Sequence, residues 1–143
     1  MNTKSKVSLV LLLIGVSFVV LSMGADALGL DMTPGFGVFQ TLGILAGISL
    51  LAAAGYIFLP SGRPSGRELS LMSDIGMRMG LTGLLACYVA GLADMIGVGT
   101  HQGIRYERPF FGPWQLGGFA IGLLIVGTGL LLYWLGPQLQ NRD

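Results

Sequence analysis

Four apolar runs, near 6–28, 36–59, 76–98 and 112–135, alternate along the chain with short segments that hold most of its charge and proline. Crossing the hydrocarbon core of a bilayer takes about 20 residues of helix. The pattern therefore predicts an all-α membrane protein with four transmembrane helices.

The runs come in pairs that resemble one another. Ala25-Asp26-Ala27-Leu28-Gly29-Leu30 is answered by Ala93-Asp94-Met95-Ile96-Gly97-Val98. Pro34, Phe36-Gly37, Phe39-Gln40, Gly43 and Gly47 are answered by Pro109, Phe111-Gly112, Trp114-Gln115, Gly118 and Gly122. The first set matches at an offset of 68 residues (Gly15 to Gly83) and the second at 75 (Gly47 to Gly122). An insertion around His101 to Glu107 accounts for the difference. Because each unit has two spans, both copies share one orientation. The expected architecture is thus two tandem, parallel-oriented helical hairpins, related by an axis along the membrane normal. Residues 1–59 form the first hairpin, 60–75 a cytoplasmic linker with a short interfacial helix, and 76–143 the second hairpin.

Charge orients the spans. Lys4, Lys6, Arg63, Arg67, Arg78 and Arg142 fall at the N-terminus, middle loop and C-terminus, whereas the other two loops hold only Arg105 and Arg108 among basic residues. By the positive-inside rule both termini and the middle loop face the cytoplasm of a bacterial-type inner membrane. Ala25-Asp26-Ala27 resembles a signal-peptidase site. Its recurrence at Ala93-Asp94, where no signal peptide could end, predicts that the first span is retained. Phe36, Phe39, Tyr106, Phe110, Phe111 and Trp114 are expected to ring the outer ends, and Tyr56, Phe58, Tyr133 and Trp134 the inner ends.

Composition narrows the function classes. The 143 residues are 52% hydrophobic and 10% charged, against roughly 25% charged in soluble domains. A net charge of +1 gives no footprint for nucleic acid. One cysteine and one histidine exclude a disulfide framework and offer no zinc or haem ligand set, so neither metal nor cofactor is expected. Cys87, in mid-span, reads as a small packing residue. HExxH, CxxC, GxSxG and Walker-type patterns are all missing, so no catalytic residue is assigned and the chain reads as non-catalytic.

In the linker, Pro60 to Gly66 ends the second helix, and Ser65 with Glu68 has capping-box spacing for a helix restart near Gly66. Leu69, Met72, Ile75 and Met79 recur at helical spacing. Asp74 precedes Arg78 by four residues, the favourable order for a helical ion pair.

Four polar residues are candidates for an external site: Asp26, Asp94, Gln40 and Gln115. Each aspartate follows an outgoing helix, where the helix dipole disfavours a carboxylate. It is either hydrogen-bonded to free N–H groups where the next helix begins, near Thr33-Pro34 and Arg108-Pro109, or part of a paired acidic site for a cation or proton. The glutamines, one turn below those starts, are expected to bond across the pseudo-axis or to line a vestibule with His101 over it. Gly43 with Gly47, Gly118 with Gly122, and Gly76 with Gly80 have the GxxxG spacing of closely approaching helices, within the chain or against another subunit.

The functional expectation is a structural or accessory subunit that packs against other membrane subunits or itself, with the lipid bilayer around it. Two rivals stand beside it. One is a small channel or transporter using the external acidic and amide groups. The other is a lipid- or quinone-binding enzyme with His101, Arg105 and Glu107 over a headgroup.

Overall fold

The computed structural model describes residues 3–25, 28–29, 37–59, 70–93 and 112–140, with side chains to 138. All regular structure among them is helical: α1 Thr3–Met23, α2 Val38–Phe58, α3 Leu71–Gly91 and α4 Pro113–Gln140. All four are long and apolar enough to cross a membrane. A helix of 21 residues, the length of α1 to α3, spans about 31 Å, close to the thickness of a hydrocarbon core. The fold is thus all-helical, with the character of a multi-pass membrane protein.

The helix starts follow local chemistry. Ser70 caps α3, its Oγ accepting from the Ser73 N–H at 3.2 Å. Residues 71–75 therefore belong to the same helix as the third apolar run, while Ser65, Gly66 and Glu68 lie outside the described residues. Pro113 opens α4, where the missing proline N–H costs nothing. Thr33-Pro34 and Arg108-Pro109, the expected starts, lie outside the described residues; α2 begins at Val38, just after Gly37. The Asp74–Arg78 ion pair forms at 2.9 Å, with the Arg78 side chain largely exposed. Such a pair contributes only about 0.3–0.5 kcal/mol, so Arg78→Ala should leave thermal stability almost unchanged.

Packing is strongest within two antiparallel pairs, α1 with α2 and α3 with α4. Small residues make it possible. In the first pair Ser8 Oγ donates to Ala54 O at 2.8 Å, and a Cβ on Gly15 would lie 2.9 Å from Gly47 O. Ser22 fills the space beside Gly43. In the second pair a Cβ on Gly76 would lie 2.6 Å from Gly129 O, and one on Gly83 2.7 Å from Gly122 O. Ala90 lies against Gly118. These three contacts recur at the sequence offsets of 68 and 75: Ser8–Ala54 corresponds to Gly76–Gly129, Gly15–Gly47 to Gly83–Gly122, and Ser22–Gly43 to Ala90–Gly118. Along α1 and α3 the contact residues are seven apart, the spacing of a seam that stays on one face of a gently supercoiled helix pair. Lipid is as apolar as leucine, so close van der Waals contact, and not water exclusion, holds such helices together.

The two pairs meet through α2, which touches both α3 and α4; among the described residues nothing comparable joins α4 to α1. Leu45 and Thr41 fill the space beside Gly91, and Gly55 faces Leu130. Tyr56 enters a notch at Gly80, donates to Gly76 O at 3.2 Å, and meets the Tyr133 ring edge-on at 5.1 Å. Tyr133 is buried. Two of the four aromatics expected at the inner membrane surface thus turn inward, while Phe58 and Trp134 remain exposed. The reason is the notch: glycine on α3 leaves room for a ring, and the phenol oxygen finds a backbone acceptor there. Replacing Tyr56 by Ala should cost about 3 kcal/mol, the low end for an aromatic, because the ring is half-buried. Replacing it by Phe should cost only the hydrogen bond. Thermal unfolding in detergent would rank the two.

α4 continues through Pro137, which has no N–H to offer the carbonyl of Tyr133 one turn earlier. Ser73 Oγ donates to that carbonyl at 3.2 Å and accepts from Ser70 Oγ at 2.9 Å. Gly136 lets the two helices approach closely enough for this. A defect in one helix is answered by a hydroxyl from the other.

Candidate functional site

The N-terminal ends of α2 and α4 carry two of the polar groups expected to form a site, Gln40 and Gln115. A glycine, Gly37 or Gly112, directly precedes each helix, and the third helical residue is Gln40 or Gln115. Gln40 Oε1 accepts from the Gly37 N–H at 2.8 Å, and Gln115 Oε1 accepts from the Gly112 N–H at 2.6 Å. Each amide oxygen thus turns back on its own helix start. The physical reason is local. The first N–H groups of a helix have no partner within it, and a Gln at the third position reaches back to the cap N–H. Thr41 supports the first start by donating from Oγ1 to Gly37 O at 3.2 Å.

Both glutamines are buried, Gln115 to 7% exposure. Gln115 Nε2 is buried and has no hydrogen-bond partner among the described residues. Beside them the aromatic residues point the other way: Phe39 is 85% exposed and Trp114 79%. Rings so exposed beside a helix start suit a membrane–water boundary. Removing either cap by Gln40→Ala or Gln115→Ala should cost about 0.5–2 kcal/mol. The Gln115 change should sit at the low end, because it also removes an unpartnered amide N–H group. Chemical or thermal unfolding of the two variants side by side would test this.

Asp26, Asp94 and the loop residues His101, Arg105 and Glu107 lie outside the described residues. Gly29 adopts a φ of 66°, in the left-handed region that favours glycine. Among the described residues, no three His, Cys, Asp or Glu side chains come together as a metal site.

The GxxxG residues have defined neighbours. Gly43 and Gly47 face α1, and Gly118 and Gly122 face α3, so each of these faces is occupied within its own hairpin. Cys87 is fully buried against Gly122, with Sγ 3.7 Å from Phe119 O. Gly76 lies against α4, and Gly80 lies against both α4 and Tyr56.

Sequence reasoning passed over the hydroxyls of the inter-hairpin seam. Ser49 Oγ and Tyr88 Oη lie 2.9 Å apart, and Ser49 Oγ is also 2.8 Å from Leu45 O, to which it donates. With Leu45 O taken by the serine proton, Tyr88 donates across the seam to Ser49. The available signal was weak: one polar residue in a run of apolar ones, with its partner 39 positions away. No family model matches the sequence, and no curated protein or solved structure matches it.

Proposed function

We propose that this chain is a non-catalytic, multi-pass membrane protein made of two like-oriented hairpins, acting as a structural or accessory subunit of a membrane assembly. In this reading the termini and the linker face the cytoplasm across an inner membrane, as the basic residues favour. The observation that carries it is how the polar groups between the helices are used. Ser8, Ser73, Tyr56 and the oxygens of Gln40 and Gln115 are engaged with backbone groups that fix helix ends, crossings and docking. They support packing and helix ends. The recurrence of three small-residue contacts and one cap in both hairpins supports a duplicated unit of this kind.

The test is the mass and composition of the intact particle, purified from its native membrane in mild detergent. Stoichiometric foreign subunits, or several copies of this chain, are the expected result. A single chain that carries flux in vesicles would overturn it.

The transport alternative has one observation in its favour, the buried and unpartnered Gln115 Nε2 near an outer helix start. It requires Asp26→Asn with Asp94→Asn to abolish flux while the protein stays folded. Loss of folding in that double variant would instead support hydrogen-bonding roles for the carboxylates at the helix starts.

A further inference from the structure

The contact between the two hairpins is head-to-tail, and the counterparts of its two halves are exposed. α2 docks on α3 and α4, but among the described residues α4 makes no contact of that extent with α1. A pseudo-two-fold arrangement would have used both faces at once. Under the offsets that relate the hairpins, the α2 residues Leu45, Ser49 and Tyr56 correspond to Ala120, Leu124 and Leu131 on α4. All three are exposed, Leu124 to 70%. The receiving residues Gly80, Tyr88 and Gly91 correspond to Leu12, Val20 and Met23 on α1, and these are exposed too, Met23 to 63%.

The two free halves also fit each other by size. Within the chain Leu45 fills the space left by Gly91; at the free ends Ala120 would face Met23, with large and small exchanged. The Ser49–Tyr88 hydrogen bond is replaced by Leu124 against Val20, which leaves no polar group unpartnered. Tyr56 in the Gly80 notch is replaced by Leu131 against Leu12, with the bulk shared between two leucines. Volume-conserving exchanges of this kind preserve an interface.

From this we infer that α4 of one copy docks on the α1–α2 hairpin of a second copy of this chain, repeating the internal seam between molecules. The inference rests on the proposed assembly role and names the partner. Gly55 and Leu130, themselves counterparts, touch within the chain, so the relation between hairpins involves little shift along the helices. Repeating it keeps every copy at the same depth in the bilayer. Rotation without such a shift closes a ring and does not grow a filament.

Cysteine pairs test it in the full-length protein with Cys87→Ala as background. Met23→Cys with Ala120→Cys, and separately Val20→Cys with Leu124→Cys, are oxidised in native membranes and run on denaturing gels. Because each pair joins different faces, the expected result is a ladder of species above the dimer, while single-cysteine variants stop at the dimer. Light scattering of the unmodified particle is measured in parallel. A multi-copy particle that gives no ladder with either pair would overturn the inference and leave the assembly role standing. Stoichiometric foreign subunits without a ladder would do the same. A bare monomer would overturn both.

Discussion

Gly129→Ala is expected to destabilise the protein by about 3 kcal/mol or more, whereas Gly127→Ala, two residues away, should stabilise it by up to about 1 kcal/mol. The chemical change is identical and both positions lie inside α4. What differs is the neighbour. A Cβ on Gly129 would lie 2.5 Å from Gly80 N, 2.6 Å from Gly76 O and 2.7 Å from Gly80 Cα. All three are backbone atoms, so no side chain can swing aside and the helices themselves must separate. A Cβ on Gly127 meets nothing within 4 Å. There the substitution acts only through the lower conformational freedom of alanine. Thermal unfolding in detergent, followed by helical circular dichroism, reads both signs. Equal shifts in the same direction would mean that the α3–α4 crossing is not where the structure places it.

The second large effect is conditional. Ser73→Ala should cost about 1–3 kcal/mol, because it removes the hydroxyl that donates to Tyr133 O above Pro137. In a Pro137→Ala background the same change should cost about 1 kcal/mol less. An alanine N–H at 137 can then reach the Tyr133 carbonyl within α4. The double-mutant cycle isolates this coupling. Transmembrane hydrogen bonds often contribute well under 2 kcal/mol, since groups displaced from one partner find another. Here the displaced carbonyl lies opposite a proline, which narrows its choices. Identical costs in the two backgrounds would show that Ser73 contributes through packing beside Gly136 alone.

These two results bear on function through a shared cause. The helices within a pair are joined by contacts that tolerate no added atom, while the outward faces of α1 and α4 carry large apolar side chains such as Leu13, Val20, Leu124 and Leu131. A rigid interior with broad apolar outer faces suits a part that is packed among lipids and neighbours.

Much of this could be read from the sequence. Four spans follow from length and hydropathy, which are properties of each segment alone. The pairing of Asp74 with Arg78 follows from spacing on one helix. The small faces at Gly43, Gly47, Gly118 and Gly122 were visible too, because small residues four apart share a face in any helix. The seven-residue recurrence of Ser8, Gly15 and Ser22 stood in the sequence as well, but it gains meaning only when matched to α2.

The glutamines show where such reading stops. Their depth was legible and their partners were not, since a side chain at a helix start can turn to its own backbone or to a neighbour. The same limit applies to Tyr56 and Tyr133, whose position near a membrane surface suggested exposure until a glycine notch on α3 supplied a place for the phenol. Segment length, apolarity and same-helix spacing are local, so the sequence by itself determined the spans, the ion pair and the faces capable of close approach. Which face meets which, the notch that takes Tyr56, the answer of Ser73 to Pro137 and the one-sided docking of α2 all depend on atoms from separate segments. The tertiary structure alone decided those, because only packing determines which donor reaches which acceptor.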